Sequence, residues 1–164
     1  MSNRYIDIER IVAKIEGEKS GNAFLIDNRR VVSVKHCLSN LTEKVKLVFP
    51  KLQESEVIER EAVVCDQFVT SEDRWVLMEL EDEIDAPNIT IASMCLQPFD
   101  EVNVYGYDSN FFAMGKWTRF QSSASMISNP DLVQDMLFDP VDSQEKDFSG
   151  LSGSPIVCDL KVVT

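Results

Sequence analysis

A serine hydroxyl becomes a useful nucleophile only when a base takes its proton, and imidazole is the side chain best suited to that task near neutral pH. The sequence contains a single histidine, His36, which ends the apolar run Val31-Val32-Ser33-Val34 and precedes Cys37. Far along the chain lies Gly150-Leu151-Ser152-Gly153-Ser154-Pro155, followed by the apolar residues Ile156-Val157-Cys158. Glycines on both sides of Ser152 let the backbone turn sharply and leave the hydroxyl unshielded, with neighbouring N–H groups free to converge on one point. Each feature alone is ordinary, since lone histidines are mostly packed or surface residues and Gly/Ser loops before strands are common. Together they offer a nucleophile, a base and an oxyanion-binding loop, which is the equipment for acyl transfer.

The elements that would have to bring these residues together read as strands. Arg10 to Ile15 is a β-branched run ending at Gly17, and Ala23 to Ile26 with Val31 to Val34 flank Asp27-Asn28, a hairpin with Asx-turn chemistry. Val45 to Phe49, Ala62 to Cys65 and Trp75 to Leu80 continue the pattern. The acidic stretch Glu81 to Asn88, with Pro87, reads as a connection between two halves. Beyond it Ile89 to Ala92, Val102 to Tyr105, Trp117 to Phe120 and Pro155 to Cys158 are strand-like, while Asp131 to Phe138 fits a short helix or a strand equally well. Some ten short strands without a long helix predict an all-β barrel or sandwich in two units.

Composition narrows the partners. Among 164 residues, 16 Lys+Arg against 28 Asp+Glu give a net charge of −12. Such a field repels phosphate backbones and anionic lipid headgroups, so neither nucleic acid nor a membrane surface is an expected partner. No apolar run has the roughly 18 to 20 residues a membrane helix needs, and Met1 to Arg10 is too polar for a signal peptide. The four cysteines, Cys37, Cys65, Cys95 and Cys158, form no CxxC pair, and with one histidine they lack zinc-ligand spacing. Reduced thiols are the expectation, with two disulfides as the alternative.

Val32-Ser33-Val34-Lys35-His36-Cys37 resembles the strand-ending histidine motif of the chymotrypsin/trypsin-like serine proteases, and Gly150 to Pro155 resembles their G-D-S-G-G-P motif. Gly106-Tyr107 also resembles the family's Gly-aromatic pair. The resemblance implies two packed antiparallel six-stranded barrels, the first over residues 1–82 with His36 and the second over 83–164 with Ser152. It implies Ser152 as nucleophile, His36 as general base and acid, and the N–H groups of Gly150 and Ser152 as oxyanion hole. No metal or organic cofactor is implied. For the triad carboxylate, Asp73 is the choice, at the cost of a local bulge before Trp75, and Asp66 is the reserve. The floor of the substrate pocket falls on Lys146 or Asp147, which would select opposite charges.

Departures from the family pattern carry further expectations. Leu151 stands where secreted members have an acidic residue that pairs with a new N-terminus, so activation by zymogen cleavage is not expected. Cys37 and Cys158 match family cysteines whose partner positions fall on Gly21 and Val102. Both bridges therefore lack one half, which resembles the intracellular bacterial branch, whose trypsin-like domains are attached to sensor or ATPase modules of defence systems. The last residue, Thr164, is only 12 positions after Ser152. The second barrel is therefore expected to continue in a longer chain or to be completed by a partner. Three readings follow: a cytoplasmic serine endopeptidase acting on a protein or peptide, with a regulatory or sensor partner; a catalytically degenerate trypsin-like domain that binds peptides or regulates; and an unrelated β-sandwich in which His36 and Ser152 never meet.

Overall fold

The computed structural model describes residues 4–17, 19, 21–65, 74–92, 97, 99–107, 114–122, 138–141, 151–158 and 161–163. The chain begins with helix α1, Arg4–Ile11, and only then enters strand β1, Val12–Glu16. The strand expected from Arg10 therefore starts two residues late. The helix wins because Ile8 and Ile11, three positions apart, both point into the core, and because Asp7 pairs with Arg10 along its surface.

Strands β2 (Asn22–Leu25), β3 (Arg30–Val34), β4 (Val45–Phe49), β5 (Ile58–Val64) and β6 (Trp75–Leu80) join β1 in a closed barrel of order β1-β2-β3-β6-β5-β4. All pairs are antiparallel. The β2–β3 turn is held by Asp27, whose Oδ1 accepts the backbone N–H groups of Arg29 at 2.8 Å and Arg30 at 2.7 Å. Leu25, Val31, Leu47, Phe49, Val76 and Met78 fill the interior. Strand β5 begins four residues before its apolar run, because Glu59 and Glu61 face solvent and reach Lys46 and Lys44 of the neighbouring chain segment while Ile58, Ala62 and Val64 face inward. A charged outer face hides a barrel strand from a search for apolar runs.

The segment after β6 has no regular structure through residue 90. It is laid back on the barrel: Ile84 is buried, and its N–H donates to the carbonyl of Asn28 at 2.9 Å. The second half contributes β7 (Ile91–Ala92), β8 (Glu101–Gly106), β9 (Lys116–Ser122), β10 (Phe138–Pro140), β11 (Ile156–Cys158) and β12 (Lys161–Val163). They form a six-stranded sheet of order β10-β9-β8-β11-β12-β7, antiparallel except where β12 meets β7. Strand β12 had no counterpart in the sequence reading, and of Asp131 to Phe138 only Phe138, the start of β10, is among the described residues.

Helix α1 links the two halves. Glu9 accepts from Trp117 Nε1 of β9 at 2.7 Å and from Lys51 Nζ at 2.7 Å, and the Tyr5 ring meets Trp117 edge-on. Beneath it Tyr105, Tyr107 and Trp117 form an aromatic layer, covered from the barrel side by Lys51 over the Tyr105 ring and Lys14 over the Tyr107 ring. Burial pushes the Tyr107 phenol far above its ordinary range.

Candidate active site

Strand β3 runs along β6 and delivers the chain into a single 3₁₀ turn, Lys35–Cys37. The Lys35 N–H donates to the Arg74 carbonyl at 2.8 Å, and the Leu38 N–H closes the turn on the Lys35 carbonyl at 3.0 Å. This geometry turns His36 outward, where it is exposed, and Cys37 inward, where it is 1% exposed.

Ser152 sits in a tight turn before β11, closed by the Ser154 N–H donating to the Leu151 carbonyl at 3.1 Å. Gly153 adopts φ +82°, the left-handed region. A Cβ there would collide with the Asn22 carbonyl oxygen and lie 2.7 Å from Ser33 Oγ. Both the conformation and the space require glycine at 153.

The turn carrying Ser152 rests directly on the first barrel. The Ser152 carbonyl accepts the Asn22 N–H at 2.8 Å, and Cys37 Sγ lies 3.6 Å from the same oxygen. The residue following the only histidine therefore touches the backbone of the serine. Gly106 supports the loop from the other side, since a Cβ on it would run into Ser154 Oγ and lie 3.1 Å from Leu151 Cδ2. Burial raises the Cys37 thiol above its usual range, against smaller opposing effects of the Asn22 backbone, Lys19 and Ser33, which leaves it a packing residue and not a nucleophile.

Cys37, Cys65 and Cys158 form no disulfide in this structure; Cys95 lies outside the described residues. The two half-bridges are pairs in space. A Cβ on Gly21 would meet Cys37 Sγ, and Val102 packs with Cys158 where β8 and β11 run side by side. Glycine opposite Cys37 leaves room for the thiol, and valine opposite Cys158 supplies apolar contact in place of a covalent bond.

Asp73, Asp66, Lys146, Asp147 and Gly150 lie outside the described residues. Arg74, the chain neighbour of Asp73, is the residue whose carbonyl holds Lys35. Two residues were given no role by the sequence reading, although Ser33 stood inside the histidine motif. Asn22 and Ser33 are completely or almost completely buried in runs that otherwise consist of apolar side chains. Ser33 Oγ donates to the Asn22 carbonyl at 2.6 Å, while the Asn22 side chain reaches Tyr107. The available signal was a polar residue in an inward position of an apolar strand, which must find partners when buried. A surface hollow of about 700 Å³ lies elsewhere, between α1 and Pro50 to Glu54, and contains neither His36 nor Ser152.

No protein-family model matches the sequence, and no curated protein matches it. Solved structures do. The chain is similar to the inactive form of the Rv3671c protease of M. tuberculosis, with TM-score 0.70 and 19% identity over 98% of this chain and 78% of that one. It is similar to Deg5, with TM-score 0.68 and 13% identity over 96% of this chain and 81% of that one. Kallikrein-related peptidase 10 superimposes with TM-score 0.71 and 16% identity, covering 95% of this chain and 80% of that one. The closed barrel followed by a second sheet is thus the chymotrypsin-like fold, the fold of trypsin-like serine proteases. Among the described residues no helix is long and apolar enough to cross a membrane.

Proposed function

We propose that the chain is a serine endopeptidase domain of the trypsin-like type, acting on a protein or peptide through an acyl-enzyme intermediate. The observation that carries this reading is the seating of the Ser152 turn against the His36 turn, through Asn22 N–H and Cys37 Sγ on the Ser152 carbonyl. Ser152 Oγ attacks the substrate carbonyl carbon while His36 takes the hydroxyl proton. The oxyanion is received by the N–H groups of Gly150 and Ser152, and His36 returns the proton to the leaving amine. Water then repeats the sequence on the acyl-enzyme. Asp73 orients His36, with Asp66 as the reserve; in its favour, the next residue, Arg74, is bonded to the residue preceding His36. Lys146 or Asp147 reads the substrate side chain. The two units divide at residues 82 and 83, and a regulatory or sensor partner, in place of zymogen cleavage, governs the second. The thiols without bridges favour a cytoplasmic setting, and by family resemblance the domain serves as effector in a bacterial defence or signalling system.

The test is labelling of the full chain with a fluorophosphonate probe, read by intact mass. Stoichiometric labelling that disappears in Ser152→Ala and in His36→Ala supports the reading. A folded chain that does not label favours the degenerate, peptide-binding alternative, for which Leu151 in place of an acidic residue is the motivating observation.

A further inference from the structure

One buried residue joins the parts of this assembly, through its backbone on one side and its side chain on the other. Asn22, in β2 of the first barrel, has no exposed surface. Its backbone N–H holds the Ser152 carbonyl and its backbone carbonyl receives Ser33 Oγ. Its side chain crosses to the second half: Oδ1 accepts the Tyr107 N–H at 2.9 Å and Nδ2 donates to the Tyr107 carbonyl at 3.3 Å. Tyr107 directly follows β8, the strand that pairs with β11 just beyond the serine turn.

We infer that Asn22 is a positioning residue, which fixes the Ser152 turn relative to the end of β8 by binding both peptide groups of Tyr107 and the Ser152 carbonyl at once. A primary amide is the side chain suited to this, because it presents an acceptor and a donor in one plane to match a peptide N–H and C=O of the same residue. An ionised carboxylate offers only acceptors, and alanine offers neither. Removing the amide leaves two backbone groups of Tyr107 without these partners in an interior from which water is excluded, and they can recover hydrogen bonds only by moving. Gly153 cannot absorb that movement, since its backbone already lies against the Asn22 carbonyl. The displacement therefore reaches Ser152.

The activity readout rests on the serine endopeptidase reading, so the experiment pairs it with one that does not. In the full chain, Asn22→Ala is expected to slow fluorophosphonate labelling on the order of tenfold to a hundredfold. The midpoint of the pH profile should stay in place, because the Ser152–His36 proton transfer is still present. Asn22→Asp should label slowly at neutral pH, and its rate relative to wild type should rise on acidification, as the buried carboxyl gains the proton that it needs to donate to Tyr107. The second readout is backbone amide exchange, where Asn22→Ala should speed exchange at Tyr107 and across residues 151–158 while leaving β4 and β5 protected. Wild type that labels, with both variants labelling at its rate, overturns the inference. Wild type that does not label removes the endopeptidase reading, and exchange alone then decides: unchanged protection at Tyr107 and 151–158 overturns the positioning role, and selective loss there upholds it. Should Asn22→Ala fail to fold, Asn22→Asp, which keeps the volume, carries the same two readouts, and a labelling ratio that does not change with pH, together with wild-type protection of Tyr107 and residues 151–158 at each pH, overturns the inference.

Discussion

The two halves of the molecule hold themselves together differently. In the first, six strands close on one another, so that β4 returns to β1 and no edge is left within the barrel. Its interior belongs to a continuous apolar cluster that includes Leu47, Phe49 and Met78 and reaches Tyr105, Tyr107 and Val157 of the second half. In the second, the described strands form a sheet with β10 and β7 at its ends, and the Val102–Cys158 cluster beside Phe120 and Ile156 is a separate, smaller core. The serine turn belongs to the second half but is fastened to the first, through Asn22, Cys37 and Ser33. The first barrel thus leaves no edge of its own, and the second half is fastened to it at the site. In the proposed chemistry the base comes from the self-sufficient half and the nucleophile from the dependent one.

Four experiments break or sharpen that contrast. The largest expected effect is chemical. If Asp73 is the orienting carboxylate of the proposed triad, Asp73→Asn should lower the fluorophosphonate labelling rate by about ten-thousandfold, the order of loss expected when the carboxylate of a Ser-His-Asp triad becomes an amide, while the thermal midpoint stays near wild type. If the rate falls less than tenfold and Asp66→Asn has the large effect, the carboxylate was misassigned.

Next comes the core of the closed half. Phe49→Ala should cost about 3 to 5 kcal/mol of unfolding free energy, because Phe49 is fully buried in the barrel. Denaturant titration checks this, and a cost of about 1 kcal/mol or less would mean that the barrel interior can collapse around the gap.

In the second half the missing covalent link can be supplied. Val102→Cys should form a disulfide with Cys158 on oxidation, since the registers Ile156 with Val104 and Val157 with Asn103 bring the two positions opposite one another. The expected stabilisation is about 2 to 4 kcal/mol, measured as the difference between oxidised and reduced protein. Absence of the bridge in a mass measurement would contradict the β8–β11 register.

The smallest effect tests the hairpin that precedes His36. Burial alone would raise the Asp27 carboxyl, but the backbone N–H groups of Arg29 and Arg30 and the Arg30 guanidinium hold it below its usual value. A depressed folded value means that its contribution is present above the unfolded pKa of about 4 and lost as the pH falls through the folded one. Asp27→Ala should cost about 1 kcal/mol at neutral pH and progressively less below pH ~4, an upper figure because the carboxyl is partly exposed and screened. A cost that grows on acidification would reverse the sign of the argument.

Much of this was legible beforehand because barrel strands announce themselves by apolar alternation. Trp75–Leu80 and Val45–Phe49 have the bounds that their sequence pattern gives. The pattern failed where charge or brevity concealed it. Glu59 and Glu61 masked the first half of β5, and β12 has only three residues, Lys161–Val163, too few to show a period. At its N-terminus the β-branched run Ile11-Val12 is compatible with either helix or strand, and burial of Ile8 with Ile11 decided for the helix. Of the site, His36 and Ser152 stood out through rarity and glycine flanks, whereas Asn22 and Ser33 were hidden as polar interruptions of apolar runs.

By itself the sequence determined the β-rich class, the acidic stretch Glu81 to Asn88 and the glycine that the serine turn needs at 153. These are local matters of side-chain type and neighbour spacing, whereas the pairing of Cys37 with Gly21 and of Cys158 with Val102 was expected only from the family resemblance. The tertiary structure alone decided that the Ser152 turn lies on Asn22 and Cys37, 130 and 115 positions away along the chain, and that Tyr107 is bound by the same asparagine. Such contacts depend on how closed and open sheets stack, and the hydrogen-bond partner of a buried amide cannot be read from residues that adjoin it only in space.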